Sequence, residues 1–382
     1  MRRSHLFSQE HEEFRTTVRR FIEKEVRPQV DAWEEAQEFP RELFTRFAAL
    51  DLLGLKYPER FGGTEAGLVY EAILFEELAR CGSGGVAAGI GAHIAIATPP
   101  LFRFGDDHQR ERWLEPAIRG QLIAALAVTE PSGGSDIAHV ETTAQRSGDE
   151  YIVNGSKTFI TNGVRADVVV LLVRTTPGGG HHGLSMLVAE RGMPGFSVGR
   201  KLNKLGWRAS DTAELVFQDC RIPVGHRLGE ENRGFYMAVE NFEWERLWIA
   251  IGAVEEAQRS MELAIEYAGN RVQFGKTLSS MQVTRHKIAD MALLVEQARR
   301  ITYHALWLHS EGIPCSAEVS MAKIAATEAN VRVADQALQI HGGYGYMMEY
   351  PIQRAWRDAR LGPIGAGTNE IMREIIAKEL DL

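Results

Sequence analysis

Hydrophobic spacing constrains this chain most, because its period changes twice along the sequence. From 231 to the end, apolar residues recur at helical steps through four segments, 234–268, 280–310, 318–340 and 369–380. Four helices of this length make a bundle. Residues 9–80 are also helical in period: Phe14, Val18, Phe21 and Ile22 stand three or four residues apart, with Glu and Arg between them. Pro28 and Pro40 punctuate that region. A second amphipathic helix is expected over 41–53, ending near Gly54, a third over 68–79 with Leu74 and Leu78 on its apolar face, and another over 107–117. Between 126 and 230 the pattern becomes short strands separated by turns. These are 150–157 around a hairpin signal at Asn154-Gly155, then 168–173, 184–189, 196–198 and 214–217, with a turn-rich loop at 175–183. The expected class is α+β: a helical domain over 1–125, a small β-barrel or sandwich domain over 126–230, and a four-helix bundle over 231–382.

Composition narrows the function classes. A chain of 382 residues with 45% hydrophobic and 25% charged residues suits a soluble protein of two or three domains with a large core. The net charge of -8 argues against nucleic-acid binding, which needs a basic face. Cys81, Cys220 and Cys315 are odd in number and far apart, so neither a disulfide framework nor a metal spacing follows, and a reducing, cytoplasmic setting is expected. The opening MRRSHLF has no apolar signal core. The Ala- and Gly-rich run 84–99, which contains His93, reads as too short and interrupted for a membrane span and is expected to be a buried helix. His181 and His182 read as an exposed loop pair, and no metal is expected.

The stretch from Leu126 to Gly163 carries the chemistry. It reads LAVTEPSGGSD and, further on, SKTFITNG. Thr129, Ser132, Ser135, Thr158, Thr161 and Asn162 place small hydroxyl and amide groups beside turn glycines, a set that suits the edge of a flat polar ring. No GxGxxG follows a strand, so a dinucleotide site of the Rossmann kind is disfavoured. Further along come RVQFGK at 271–276, QIHGGYG at 339–345 and GTNEIMR at 367–373.

In this order, these motifs resemble those of the acyl-CoA dehydrogenase family, and the resemblance spans essentially the whole chain. It implies FAD held between the β domain and the C-terminal bundle. Leu126, Val128, Thr129 and Ser135 would line the flavin, with Phe159 and Thr161 packing on and hydrogen-bonding its ring. Arg271, Phe274, Gln282, Gln339, Gly342 and Gly343 would reach the adenosine diphosphate half of FAD on a neighbouring subunit. An Arg fork suits a dianionic pyrophosphate, and glycines let the backbone come close. Thr368, capping the last helix, would approach FAD with Asn369 and Glu370 at a helix N-terminus. The resemblance further implies a homotetramer built as a dimer of dimers, an acyl-CoA substrate in fatty acid or branched-chain catabolism, and an electron-transfer flavoprotein as partner, with no membrane partner.

The expected base is Glu245. Many family members carry their catalytic carboxylate directly before the Gly-Thr that opens the last helix, and Ala366 stands there in this chain. A second subset, which includes enzymes for branched and long chains, carries it in a Glu-Arg-Leu context on the first bundle helix; Glu245, Arg246 and Leu247 match that context. Ala238, Asn241, Phe242, Trp248, Ile249 and Gly252 share its helix face, so desolvation should raise the pKa of Glu245 and make it a better base. Glu240 and Glu243 are expected on other faces, Glu243 paired with Arg246. Ser135, Phe242, Arg246, Ala366 and Gly367 would meet the substrate, the backbone N–H at Ala366 serving the thioester carbonyl. Two other functions fit the same fold: an acyl-CoA oxidase or flavin monooxygenase, and a flavin-binding relative that has lost catalysis.

Overall fold

The computed structural model describes residues 6–382, so the leader expectation at the N-terminus falls largely outside the described residues. The first part is helical: α1 (Gln9–Phe21), α2 (Val30–Ala36), α3 (Glu42–Ala48), α4 (Leu68–Ala79), α5 (Gly84–Gly91), α6 (Thr98–Phe104), and the short α7 (Asp107–Gln109) and α8 (Glu115–Ile118). Pro28 does not break the first helix. It sits in a 3-10 turn after a π-helical turn, Ile22–Val26, and the chain stays helical into α2. The helix expected over 41–53 ends early, at Ala48.

Helix α4 is apolar all round, yet it carries three buried carboxylates, Glu71, Glu76 and Glu77. Each is matched by a cation. Glu76 meets Arg15, Glu77 meets Arg19 at 2.6 Å, and Glu71 meets Lys56 at 2.8 Å. Pairing of this kind is what allows charges inside a helical core.

A π-helical stretch, Ala92–Ala97, joins α5 to α6, so Gly84–Phe104 is one helix of 21 residues whose most apolar window has mean hydropathy 1.4. By length and composition it could cross a membrane, which corrects the expectation that the run is too short. In this fold 83% of its most apolar window is buried in protein, as expected for a core helix.

The middle part is a sheet: β1 (Ala124–Ala127), β2 (Thr143–Ser147), β3 (Glu150–Thr161), β4 (Val168–Arg174), β5 (Leu184–Glu190), β6 (Phe196–Lys201), β7 (Thr212–Pro223) and β8 (Arg227–Leu228). The order is β6-β7-β3-β2-β4-β5-β8, with β1 beside β4. The sheet curls, so Val153, Leu171, Leu187, Leu215 and Phe217 from distant strands share one core, as in a barrel. Asn154-Gly155 is not a hairpin turn. Strand β3 runs straight through it, and its register against β7 shifts between Val153 and Gly155. This is a β-bulge, and Gly155 supplies the φ of 147° it requires.

The last part holds α9 (Gly234–Asn270), a two-stranded hairpin of β9 (Val272–Gln273) and β10 (Lys276–Thr277), α10 (Gln282–Ser310), α11 (Ser316–His341), α12 (Pro351–Ala359) and α13 (Asn369–Glu379). Helix α12 was not expected from the sequence. Its Asp358 carboxylate accepts the backbone N–H of Gly84 at 3.0 Å and of Trp207 at 2.6 Å, tying all three parts of the chain together.

Candidate active site

Glu245 lies near the start of α9 and is 5% exposed. Asn241, one turn earlier, donates its Nδ2–H to Glu245 Oε1 at 2.7 Å. The same Nδ2 lies 3.3 Å from the carbonyl of Ala95 and 3.4 Å from that of Ile96, in the π-helical stretch. Wider i→i+5 turns leave carbonyls available for such side chains. Burial pushes the Glu245 carboxyl up to about 8, against the smaller opposing effects of Asn241 and Arg246. The sequence placed Asn241 on this face; its hydrogen bond to Glu245 follows from the i, i+4 spacing.

The helix cannot rotate away from this position. A side chain on Gly91 would start 2.4 Å from the Trp248 ring, so the two helices touch through glycine. Trp244 donates its indole N–H to Glu71 at 2.8 Å.

The other two carboxylates of this segment are engaged elsewhere. Glu240 pairs with Arg103 at 2.9 Å on the surface. Glu243 does not pair with Arg246, contrary to expectation. It meets His309 at 3.5 Å, and that hydrogen bond is the main cause holding its carboxyl below the usual range. With Cys315, these two bring three ligand-type atoms within 4.8 Å of one another, a grouping that residues so far apart do not announce in sequence.

Arg246 is buried, its Nε has no partner, and its guanidinium lies 5.5 Å over the Phe242 ring. It lies beside the turn before α13: its Nη2 is 3.8 Å from where a side chain on Gly367 would begin. Ala366 in that turn is left-handed, with φ 52°. Among the described residues its N–H meets no protein acceptor, and the turn lies beside the helix that carries Glu245. The fully buried Lys323 props the turn from below, donating to Gly367 O at 2.8 Å and Asn369 Oδ1 at 3.0 Å. The Asn369 amide therefore faces inward, while Thr368 caps α13 as expected, accepting from Ile371 N at 3.4 Å. Glu370, next along, is exposed. Sequence reasoning did not single out Lys323; an isolated lysine in an apolar helix face was the available signal.

A second group sits on the sheet. Leu126 and Val128 pack into the same apolar cluster as Phe242, which brings the loop after β1 to α9. Thr158 N–H donates to Thr129 O at 2.9 Å. Beneath them the fully buried Lys157 donates to Val128 O at 3.1 Å and to Glu130 at 2.8 Å. Glu130 also accepts the N–H groups of Glu141 and Thr142. Burial alone would raise Glu130, but Lys157 draws it below the usual carboxylate range; burial pulls Lys157 down to about 8. This pair, unrecognised from sequence, holds the hydroxyl-rich loop against β3.

Phe159 tests whether a flavin fits here. It is 68% exposed and held at φ 60°, rare for an aromatic residue. A strained, displayed ring beside Thr161 and the hydroxyl loop, with Ser135 exposed, suits a flat heteroaromatic partner.

A third group stands apart, at the far end of α9. Arg271 is 26 residues beyond Glu245, a rise of roughly 39 Å. It lies 5.4 Å over the Tyr344 ring and makes no ion pair among the described residues. Around it opens a cleft of about 500 Å³ that includes Gly342 and Gly343, where added side chains would meet nothing within 4 Å. Gln282 at the start of α10 and Gln339 are exposed nearby in sequence, and Phe274 is 93% exposed at the tip of the β9–β10 hairpin. An unpaired cation with open backbone fits a pyrophosphate. No hydrogen bond or ring contact joins this group to the first two within the described residues of one chain.

Residues 8–121, 125–220 and 232–380 match the models for the acyl-CoA dehydrogenase N-terminal, middle and C-terminal domains. The chain is 40% identical over 373 residues to an acyl-CoA dehydrogenase of Bacillus subtilis, covering 98% of each. It is 41% identical over 380 residues to the mitochondrial long-chain specific acyl-CoA dehydrogenase of Rattus norvegicus, covering 98% of this chain and 87% of that one. A crystal structure of acyl-CoA dehydrogenase from Geobacillus kaustophilus superposes with a TM-score of 0.97 at 43% identity, covering all of both chains.

Proposed function

This chain belongs to the acyl-CoA dehydrogenase family, and from that premise we propose a flavin-dependent α,β-dehydrogenation of an acyl-CoA in which Glu245 removes the α-proton. The observation that carries the assignment is one buried carboxyl, raised in pKa, on the helix facing a turn that has Ala366 in place of a carboxylate. Thr129, Ser135, Phe159 and Thr161 would hold the flavin of FAD, and Arg271 with the Gly342–Gly343 backbone its pyrophosphate. When bound, FAD supplies the two-electron acceptor for the β-hydride.

The chain's own residues do the rest. Glu245 takes the proton at a carboxylate oxygen while Asn241 holds the other side of the group. The free N–H at Ala366 stabilises the charge that grows on the thioester oxygen as the α-carbon loses its proton. Arg246 and Lys323 keep that turn against the helix. Burial of Glu245 makes its conjugate base strong enough for a weakly acidic carbon.

The pH dependence follows with a definite sign. The base must be unprotonated, and its pKa is raised to about 8. Log kcat/KM for anaerobic flavin reduction should therefore climb with unit slope to about pH 8 and then level. A flat profile from about pH 6 to about pH 9 would exclude Glu245 as the base.

Gly252 shares the Glu245 face two turns on, and a side chain there would enter open space. Gly252→Leu should leave short acyl chains as substrates, sharply reduce turnover of long ones, and not weaken the helix, since Leu has about 1 kcal/mol better helix propensity than Gly. Chain-length profiles of kcat/KM for both proteins measure this; parallel profiles would place the acyl tail elsewhere.

The homotetramer belongs to the same proposal. Exposed apolar residues crowd the bundle, among them Phe274, Tyr346, Val283 and Met348, and Arg271 is too far from Glu245 to serve the same flavin ring. Sedimentation at four times the 42.6 kDa chain mass tests it. Cytoplasmic location accords with Cys81, Cys220 and Cys315 being buried free thiols. The electron acceptor is proposed to be an electron-transfer flavoprotein; rapid reoxidation of the reduced flavin by air alone would favour the oxidase alternative.

A further inference from the structure

Beyond Glu245, the same stripe of α9 lines an inner cavity: Trp248 and Ile249, then Gly252 and Ala253, then Glu256. The near walls are apolar, but the far end is not. Asn330 of α11 donates to Glu256 Oε2 at 2.7 Å. Its own Oδ1 has no partner, although the side chain is only 2% exposed. The indole N–H of Trp207, which also lines the cavity, is likewise buried without an acceptor. Burial, aided by the nearby Asp358, pushes Glu256 up to about 8, so it is a neutral carboxyl near pH 7. Donors and acceptors left unmatched in a buried setting are costly unless something completes them.

We propose that the acyl chain of the substrate carries a hydroxyl at its far end, received by Glu256, Asn330 and Trp207. A hydroxyl is both donor and acceptor, which matches the free Asn330 oxygen on one side and the Trp207 N–H on the other. The proposal rests on the dehydrogenation assigned above. Helix geometry sets the chain length. Eleven residues separate Glu256 from Glu245, a rise of roughly 16 Å. An extended chain advances about 1.2 Å per bond. With the base meeting the α-carbon from the side, only the contact of about 3 Å at the Glu256 end shortens that path, and the hydroxyl stands about eleven bonds beyond the α-carbon. The cavity is narrow, about 30 Å³ free, so the tail enters only as the Phe75 side of the wall gives way, with Trp207 and Trp248 held where they are packed against Gly84 and Gly91.

The test compares dodecanoyl-CoA with 12-hydroxydodecanoyl-CoA in anaerobic flavin reduction by the FAD-loaded wild type, Glu256→Leu and Asn330→Leu. In the wild type, kcat/KM should favour the hydroxylated chain by at least about tenfold, because its absence leaves buried polar groups unmatched. Each variant should bring the ratio close to one, chiefly by improving dodecanoyl-CoA. A wild type that prefers plain dodecanoyl-CoA, or a ratio unchanged in both variants, overturns the proposal while dehydrogenation stands. The wild-type comparison decides even if the variants fail to fold. If neither thioester reduces the flavin, the dehydrogenation assignment fails, and the proposal fails with it.

Discussion

Glu245→Gln should slow anaerobic flavin reduction by an acyl-CoA about 10³-fold or more, while the visible spectrum of the bound flavin stays that of the wild type. A positioned general base contributes about 10² to 10⁴ in rate, and the other carboxylates of the segment are held away, Glu240 by Arg103 and Glu243 by His309. Gln keeps the shape and can still accept from Asn241, so a structural role alone would leave the rate nearly intact. Rapid-mixing absorbance decides it. Equal rates for the two proteins would remove Glu245 from the mechanism and turn attention to Glu243. Stability should move the other way. The Glu245 carboxyl is raised from 4.5 to about 8 by folding, so the native state binds the extra proton, and stability falls as pH rises between those values. Gln mimics the protonated form, so the variant should melt above the wild type at pH 8 and near it at pH 4.5.

The second large effect concerns the loop that would hold the flavin. Lys157→Met leaves Glu130 charged and buried against Val128 and Thr142, which should cost about 3 to 5 kcal/mol. We expect a clear drop in Tm and purified protein that has lost most of its yellow colour, because the hydroxyl loop is no longer held to β3. Pairing Lys157→Met with Glu130→Leu should recover much of the Tm, since a buried ion pair can be replaced by apolar packing. Colour should return only in part, because the Val128 carbonyl still lacks its donor. A single variant with unchanged Tm would show that the pair is not supporting the loop.

Long periodic segments were legible in the sequence because period and length reinforce each other. Helix α4 was located residue for residue, and α9 and α10 to within two residues at each end. Local turn chemistry was less informative. Asn154-Gly155 carries a strong hairpin signal, yet tertiary pairing with β7 turned it into a bulge. Helix α12 is nine residues long, starts at Pro351 and lies between loops, too short for a period to stand out. The candidate site divided along the same line. Glu245 was singled out by the Glu-Arg-Leu context that resembles the family's, and its apolar neighbours at helical spacing supported its burial. The partners that decide chemistry were not: His309 lies 66 residues from Glu243, and Glu130 lies 27 from Lys157. Spacing within one helix predicts Asn241 against Glu245, but no pattern in sequence predicts which distant residue will answer a given charge.

The contact between Gly91 and the Trp248 ring divides labour between two parts of the molecule. Glu245, the proposed base, rides on a helix packed closely into the core, where a change of shape is poorly tolerated. On the same proposal the Ala366 turn, relieved of carrying a carboxylate, would need only to present a backbone N–H, so its side chain could change without touching the proton chemistry.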